Sequence, residues 1–331
     1  MGDARAQWFH DELKEQQKHL ALPLWYDQCV SATPPWGKGF RFRPRNDTRR
    51  TPSDVRDEQV FHVLCLLERR LALGEDLHRP LEALQIGAND GDDAFFVALV
   101  WAATHYSEFG LHATLVEPTI PNFKKLVRRY VGSPELKGKA TYVNGAVCSD
   151  CCDADGTVPI YHPRWSLLQE WEDTARARPD LHPNAFKTPD GSWRQKWLYE
   201  LSSLDRDRLN HHFRNPLDVE STPIRCSAAS DLVASPDLDY VMIDVEGFDY
   251  EVLASLDLRK HRPLIIIFES KIMEANYPGN LWKAAAFCVD HGYFVVRATF
   301  RPTNYVCVRT DANDVPLRDV APGQVPRIPP P

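Results

Sequence analysis

No stretch of this chain approaches the roughly 18 consecutive apolar residues that cross a bilayer, which leaves no reading as a membrane span. The opening residues, MGDARAQWFHDELKEQ, are polar and charged. With no apolar core they do not read as a secretory signal, and Ala6 stands where a myristoylated start carries Ser or Thr. A basic stripe interleaved with aromatics is missing too, and the net charge of −7 disfavours nucleic acid as a partner. Internal repeats are absent. The first glycine turn has neither a Walker lysine nor the G-x-G-x-x-G spacing, so a nicotinamide or nucleotide-sugar oxidoreductase loses its usual signature, and so does an ATP site.

Cysteine is present but sparsely patterned. Cys65, Cys288 and Cys307 lie in apolar runs and read as reduced core residues, which points to the cytoplasm. Cys148, Cys151 and Cys152 form a C-x-x-C-C group that could bind zinc with Cys226 or His162, but a zinc site usually shows two matched knuckles and only one is here. We therefore assign no metal ligands from these residues.

What the chain does contain is an ordinary globular composition: 331 residues, 43% hydrophobic and 26% charged, enough for one large domain with an extension. Its most telling segment is Leu81–Ile86, a short apolar run that ends in Gly87-Ala88-Asn89-Asp90-Gly91-Asp92-Asp93 before an apolar helical pattern begins. A strand, a glycine turn and a helix start bring backbone N–H groups close to a nucleotide-like ligand. Three acids in that turn repel a pyrophosphate and suit a cationic ligand bearing an amino group, a ribose and a sulfonium, which describes S-adenosylmethionine. Further on, Leu115-Val116-Glu117-Pro118 reads as a second strand ending in an acid that can accept both ribose hydroxyls. Tyr240–Ile243 and Leu264–Phe268 read as buried strands, tipped by Asp244 and by Glu269.

The wider pattern alternates. Strands are expected at Leu81–Ile86, Ala113–Val116, Ala140–Asn144, Tyr240–Ile243, Leu264–Phe268, Tyr293–Ala298 and Tyr305–Arg309, with helices over Asp92–Tyr106, Ile120–Val131, Tyr250–Leu256 and Gly279–His291. This predicts an α/β fold: a doubly wound, mostly parallel seven-stranded sheet with helices on both faces. The last two strands, joined by a link too short for a helix, must run antiparallel.

Residues 1–75 are expected to form a helical N-terminal extension or lid, with a helix over Val60–Leu73. Within it, Thr33–Phe40 must be irregular, as a loop on the core, a lid, or a homodimer contact, and the arginine-rich Arg41–Arg50 reads first as a solvated loop. The main domain is expected over residues 76–310, with an insertion at about 150–238. A hairpin is expected around Asp155–Tyr161, then a Trp- and Pro-rich stretch, Pro163–Lys196, without a clean period, which suits a lid. Residues 311–331 read as a Pro-rich disordered tail.

The order GANDG, VEP, NGAV, LSS, IDVEGFDYEVL, FES resembles the FkbM-type methyltransferases, a family of the class I S-adenosylmethionine-dependent methyltransferases. The likeness runs from about Leu81 to Arg309, and its most specific element is Ile243–Leu253. It implies a Rossmann-like fold and a cofactor site made by Gln85, Gly87, Asn89, Asp90, Gly91 and Asp92 in the first turn. Glu117 would hold the ribose hydroxyls, with Pro118 stiffening the turn, Asn122 would line the adenosine pocket, and Asn144, Gly145 and Ala146 would lie beside the adenine. Asp244 and Glu246 would stand next to the reactive methyl group. The extra acids in GANDGDD depart from the common pattern.

Methyl transfer from a sulfonium is an in-line displacement whose donor is already activated, so the protein supplies mainly alignment and exclusion of water. A hydroxyl acceptor also needs a base. Asp244, Glu246 and Glu269 are the candidates by position. Alternatively, Asp244 and Glu269 hold a Mg²⁺ that lowers the acceptor's pKa. Glu246 and Asp249 also fit a structural role as first-turn acids of the next helix. Ser202 and Ser203 fit an N-cap as well as a substrate contact, His211 and His212 read as exposed helix residues, and His162 is a weaker substrate-site candidate. The expected activity is O-methylation of a small molecule, sugar or secondary metabolite. Carboxyl- or N-methylation and a non-catalytic scaffold remain the alternatives.

Overall fold

The computed structural model describes residues 11–18, 20–31, 58–73, 79–106, 110–148, 150–177, 186–187, 193–194, 202–210, 218–233, 235, 237–298 and 303–311. The Thr33–Phe40 and Arg41–Arg50 segments, His211 and His212, and the tail from residue 312 lie outside them.

Helical chain precedes the sheet, including α1 (Leu24–Ser31) and α2 (Glu58–Leu73). Next come β1 (Leu81–Ile86), α3 (Ala94–His105), β2 (Leu111–Val116), α4 (Ile120–Gly132) and β3 (Ala140–Val143). The inserted region contributes β4 (Ala146–Val147), β5 (Thr157–Pro163), α5 (Trp165–Ala177), β6 (Phe186–Lys187), β7 (Trp193–Arg194), α6 (Arg206–Asn210) and β8 (Val219–Ser227). The chain then returns through β9 (Tyr240–Ile243), α7 (Asp249–Ala254), β10 (Ile265–Glu269), α8 (Lys271–Asn276), α9 (Asn280–Asp290), β11 (Tyr293–Arg297) and β12 (Asn304–Arg309).

The main sheet has seven strands in the order β11-β12-β10-β9-β1-β2-β3. Strands β10, β9, β1, β2 and β3 are parallel, whereas β12 runs antiparallel to both β10 and β11. The doubly wound architecture and the antiparallel closing pair match expectation. The central strands are apolar at nearly every position because helices cover both faces. On one face Leu81, Ala83, Tyr240, Met242, Ile265 and Ile267 pack with residues of α1 to α4; on the other, Leu84, Ile86, Val241, Ile243 and Phe268 pack with α7 and α9. Helix α2 is part of the first of these cores through Val63, Leu66 and Leu67. Its Arg70 is 1% exposed and meets Asp239, 2% exposed, at 2.8 Å, with Arg79 on the other carboxylate oxygen at 2.7 Å. Burial outweighs both guanidinium groups and leaves the Asp239 carboxyl above its usual range.

Three expectations are corrected. Strand β5 does not fold back into a local hairpin: it pairs antiparallel with β8, from Thr157↔Arg225 to Pro163↔Val219, and β4 adds to the other side of β8. Strand β8 escaped detection because its polar positions and Pro223 break the alternation that marks a strand. The stretch after Pro163 is not without structure, since α5 occupies Trp165–Ala177 and buries Leu168 against Leu209 and Val219. Nor are the cysteines reduced in the structure. Cys288 on α9 pairs with Cys307 on β12, Cys152 with Cys226 across 74 residues, and Cys148 with Cys151, while Cys65 is also disulfide-bonded. Packing of α9 on the sheet brings Cys288 and Cys307 together, a proximity that apolar sequence context does not reveal. The cytoplasmic expectation rested on reduced thiols and loses that support. Among the described residues, no helix is long and apolar enough to cross a membrane.

Candidate active site at the strand ends

Five neighbouring parallel strands end on the same edge of the sheet, and the acids expected to act lie there. Register carries them into one row. Ile86 aligns with Val116 on one side and with Ile243 on the other, and Ile243 aligns with Phe268. One residue further along, the row therefore reads Glu117, Gly87, Asp244, Glu269. At about 4.8 Å per strand this row spans roughly 14 Å. Strand order reverses between β1 and β9, the switch point at which open α/β sheets leave a crevice. The one residue of the row without a side chain, Gly87, stands at that point.

Gly87 has φ +84, and a Cβ there would overlap the Asp244 carbonyl oxygen, so the loops after β1 and β9 approach backbone to backbone. Gly87 and Ala88 both donate to the Val116 carbonyl, at 3.0 and 2.9 Å, and Asp244 N–H donates to Ile86 at 3.0 Å. Asn89 (φ 49) and Gly91 (φ 70) complete a turn of positive-φ residues. Gly91 packs against Leu126 and Tyr130 of α4, where a Cβ would be too close to Leu126.

Glu117 is 4% exposed. Its Oε2 accepts the Asn89 N–H at 2.9 Å, and Oε1 accepts the Thr119 N–H at 2.9 Å and the Thr119 hydroxyl. Burial pushes its pKa up to about 7 against those three bonds. The carboxyl group thus ties the first glycine turn to the second loop, and Oε2 keeps acceptor capacity on its second lone pair. Thr119 was not foreseen. Asn144 donates through Nδ2 to the Glu117 and Pro118 carbonyls, at 2.9 and 3.0 Å, and so braces the Glu-Pro turn from behind. Asn122 is buried on the first turn of α4. Gly145 lies against the Arg225 carbonyl, and Ala146 is buried among Val158, Ile160 and Ile224 of the second sheet.

The acids of GANDGDD divide their work. Asp90 Oδ1 accepts the Asp92 N–H at 2.9 Å, Asp92 pairs with Arg129 of α4 at 3.2 Å, and Asp93 caps α3 through the Phe96 N–H at 2.9 Å. Gln85, 1% exposed, reaches Asp93 at 2.5 Å, which places it behind the loop. Arg129 also donates to the Asp90 carbonyl at 3.3 Å and covers Phe96, a clamp for which the sequence offers no signal.

Past β9, Asp244 and Glu246 are partly exposed, and Glu246 takes φ 59 ahead of Gly247 at φ 111. Glu246 precedes the N-cap, Phe248, so it is not a first-turn acid of α7; Asp249 is. Glu269 closes β10 and is partly exposed. Asp244, Glu246 and Glu269 therefore share one rim with the first glycine turn. Others do not join it. His162 is 3% exposed, stacks on Trp165 at 4.5 Å, and bonds the Pro163 carbonyl and the Thr222 hydroxyl, each at 2.9 Å, as a core residue of the insertion. Ser203 is buried, bridged to Tyr161, and accepts the Asp205 N–H at 3.1 Å ahead of α6. The insertion does touch the rim, since the Phe248 ring meets Tyr277 in a tilted contact at 5.1 Å and Tyr277 donates to Asp205 at 3.0 Å. Among the described residues, no group of three His, Cys, Asp or Glu side chains is arranged to hold a metal ion, so the Mg²⁺ alternative finds no ligand set.

Comparison with known proteins agrees with this site's motifs. The model of the methyltransferase FkbM domain matches residues 85–284. No curated protein matches significantly. Among solved structures, an FkbM methyltransferase from Methylobacillus flagellatus KT is 10% identical with a TM-score of 0.38, over 76% of this chain and 52% of that one. The chain thus spans about half the length of that protein. An O-methyltransferase from Bacillus cereus in complex with SAH is 10% identical with a TM-score of 0.33, over 80% of this chain and 84% of that one. Magnesium protoporphyrin IX methyltransferase from Synechocystis PCC 6803, with bound SAM, is 11% identical with a TM-score of 0.32, over 87% and 98%. These three likenesses are too distant to carry detail. The family match covers more than half of the chain and takes in the glycine turn, Glu117, Asp244 and Glu269, and the chain belongs to the FkbM family of methyltransferases.

Proposed function

We propose that the protein is an S-adenosylmethionine-dependent O-methyltransferase acting on a hydroxyl group of a small molecule, a sugar or a secondary metabolite. The observation that carries this reading is the row Glu117, Gly87, Asp244, Glu269: carboxyl groups stand on both sides of a glycine at the switch point. That suits a ligand with ribose hydroxyls to donate and a cationic centre to place. The bound cofactor supplies a methyl group on a sulfonium. Within the protein, the turn at Gly87, Asn89 and Gly91 allows backbone approach, and the Glu117 Oε2 atom accepts from a ribose hydroxyl. Asn144 holds the Glu117–Pro118 turn still. Asp244, Glu246 and Glu269 are the groups within reach of an acceptor hydroxyl, to take its proton as the oxygen attacks. The insertion, tied to the rim through Asp205 and Tyr277, covers the acceptor side. No carboxylate acceptor would need such a base, so the acid cluster favours the hydroxyl reading over carboxyl methylation.

The test is calorimetric titration of the purified protein with S-adenosylmethionine and S-adenosylhomocysteine, then a screen of hydroxylated metabolites and sugars for methyl transfer. Micromolar binding and transfer to oxygen support the proposal. Absence of binding to either ligand removes the enzymatic reading in favour of a scaffold. A cytoplasmic location requires reduced cysteines, so a thiol count on protein isolated without reductant checks it: eight free thiols fit the cytoplasm, and intact disulfides fit an oxidising compartment.

A further inference from the structure

One acid of the run Asp244-Val245-Glu246-Gly247-Phe248-Asp249 has no place in the chemistry above. Asp249 is fully buried, at 0% exposure, directly beneath the rim. Its two carboxyl oxygens face different segments. Oδ2 accepts the Gly247 N–H and Oδ1 accepts the Glu269 N–H, each at 3.1 Å. Gly247 follows Glu246, and both have positive φ, a turn that costs conformational energy unless its surroundings hold it. Glu269 is the last residue of β10.

We propose that Asp249 is a positioning residue: its buried carboxyl group bolts the Glu246–Gly247 turn after β9 to the Glu269 end of β10, so that Asp244, Glu246 and Glu269 are held as one unit. This rests on the reading of those three acids as the methyl-transfer rim. A surface helix-start acid would instead point at helix amides and water. A buried carboxyl is expensive unless it is hydrogen-bonded, and besides its own amide this one accepts from the Gly247 and Glu269 amides beside the candidate bases. Burial and the adjacent Glu269 push the Asp249 pKa up to about 8, against the pull of its backbone hydrogen bonds.

The experiment is amide hydrogen exchange of the whole protein, with Asp249→Asn and Asp249→Ala beside the wild type, together with S-adenosylhomocysteine titration of all three. In the wild type the Gly247 and Glu269 amides should exchange slowly. Asp249→Asn keeps one carbonyl acceptor and should retain slow exchange at one of the two amides. Asp249→Ala should lose both, by about tenfold or more, with β1 and β2 amides unchanged. With any acceptor found in the screen, kcat should fall in both variants while KM for S-adenosylmethionine holds. Fast exchange of both amides in the wild type, or unchanged exchange and kcat in Asp249→Ala, overturns the proposal. If neither variant folds, the wild-type exchange decides alone. Should the wild type fail to bind S-adenosylhomocysteine while its two amides are protected, the methyltransferase reading fails and the bolt remains.

Discussion

Gly87 and Asp244 meet backbone to backbone where strand order reverses, with no space between the glycine and the Asp244 carbonyl for even a Cβ. The contact joins the loop that begins the cofactor turn to the loop that carries the candidate base. Gly87→Ala must therefore push the two loops apart while also adopting a φ of +84. The expected result is a loss of at least about 2 kcal/mol in stability and of S-adenosylhomocysteine binding by tenfold or more. Denaturant unfolding and calorimetry check the two effects separately.

Glu117 links pH to ligand binding. With its pKa pushed up to about 7 by burial, the ligand-free protein carries a proton there that the unfolded chain, at about 4.5, has already lost. Its contribution to stability is present below about 4.5 and is lost as pH rises through about 7. The ionised form is the better acceptor for a ribose hydroxyl, so S-adenosylhomocysteine affinity should rise as pH climbs through 7. Glu117→Gln should flatten that rise and weaken binding by about 1.5 to 3 kcal/mol. Unchanged affinity in the variant would remove Glu117 from the ribose.

Asp244 separates chemistry from binding. Asp244→Asn preserves shape and removes the carboxylate of the proposed base, so turnover should drop by about 10² to 10⁴ while cofactor affinity changes little. Equal losses in both would make it a binding residue.

His62 predicts behaviour in acid. It is buried on α2 with Tyr26 hydroxyl at 2.9 Å, and burial lowers its pKa from 6.5 to about 3. The unfolded chain takes up a proton below 6.5 that the folded one refuses, so stability should fall by about 3 to 5 kcal/mol between pH 6.5 and pH 3. In His62→Gln the same pH scan should be shallower by that amount.

Arg70 isolates the fold from the site. It pairs with Asp239 just before β9, at the opposite edge of the sheet from the acid row. Arg70→Met leaves the buried Asp239 with the Arg79 guanidinium and the Glu82 N–H, and should cost about 3 kcal/mol in unfolding. Binding of S-adenosylhomocysteine should be unchanged in the protein that remains folded.

The sequence by itself determined the order of strands and helices, because buried parallel strands read as apolar runs and their helices repeat at 3.6 residues; β1, β9 and α4 lie where that pattern puts them. It also placed Gly87, Glu117, Asp244 and Glu269, since each directly follows or ends such a run. Only the tertiary structure decided what faces what. Register set the four in one row, and chain return through α7 put Asp249 under two loops that are 22 residues apart in sequence, Gly247 and Glu269. Strand β8 has too few apolar positions to announce itself and forms because β5 and β4 flank it. Arg129 reaches the acidic turn, and Cys288 reaches Cys307, from helices whose local pattern specifies only an apolar face. Periodicity encodes which side of an element is buried. It carries no record of the partner that buries it, and hydrogen bonds, ion pairs and disulfides between distant segments exist only once that partner has arrived.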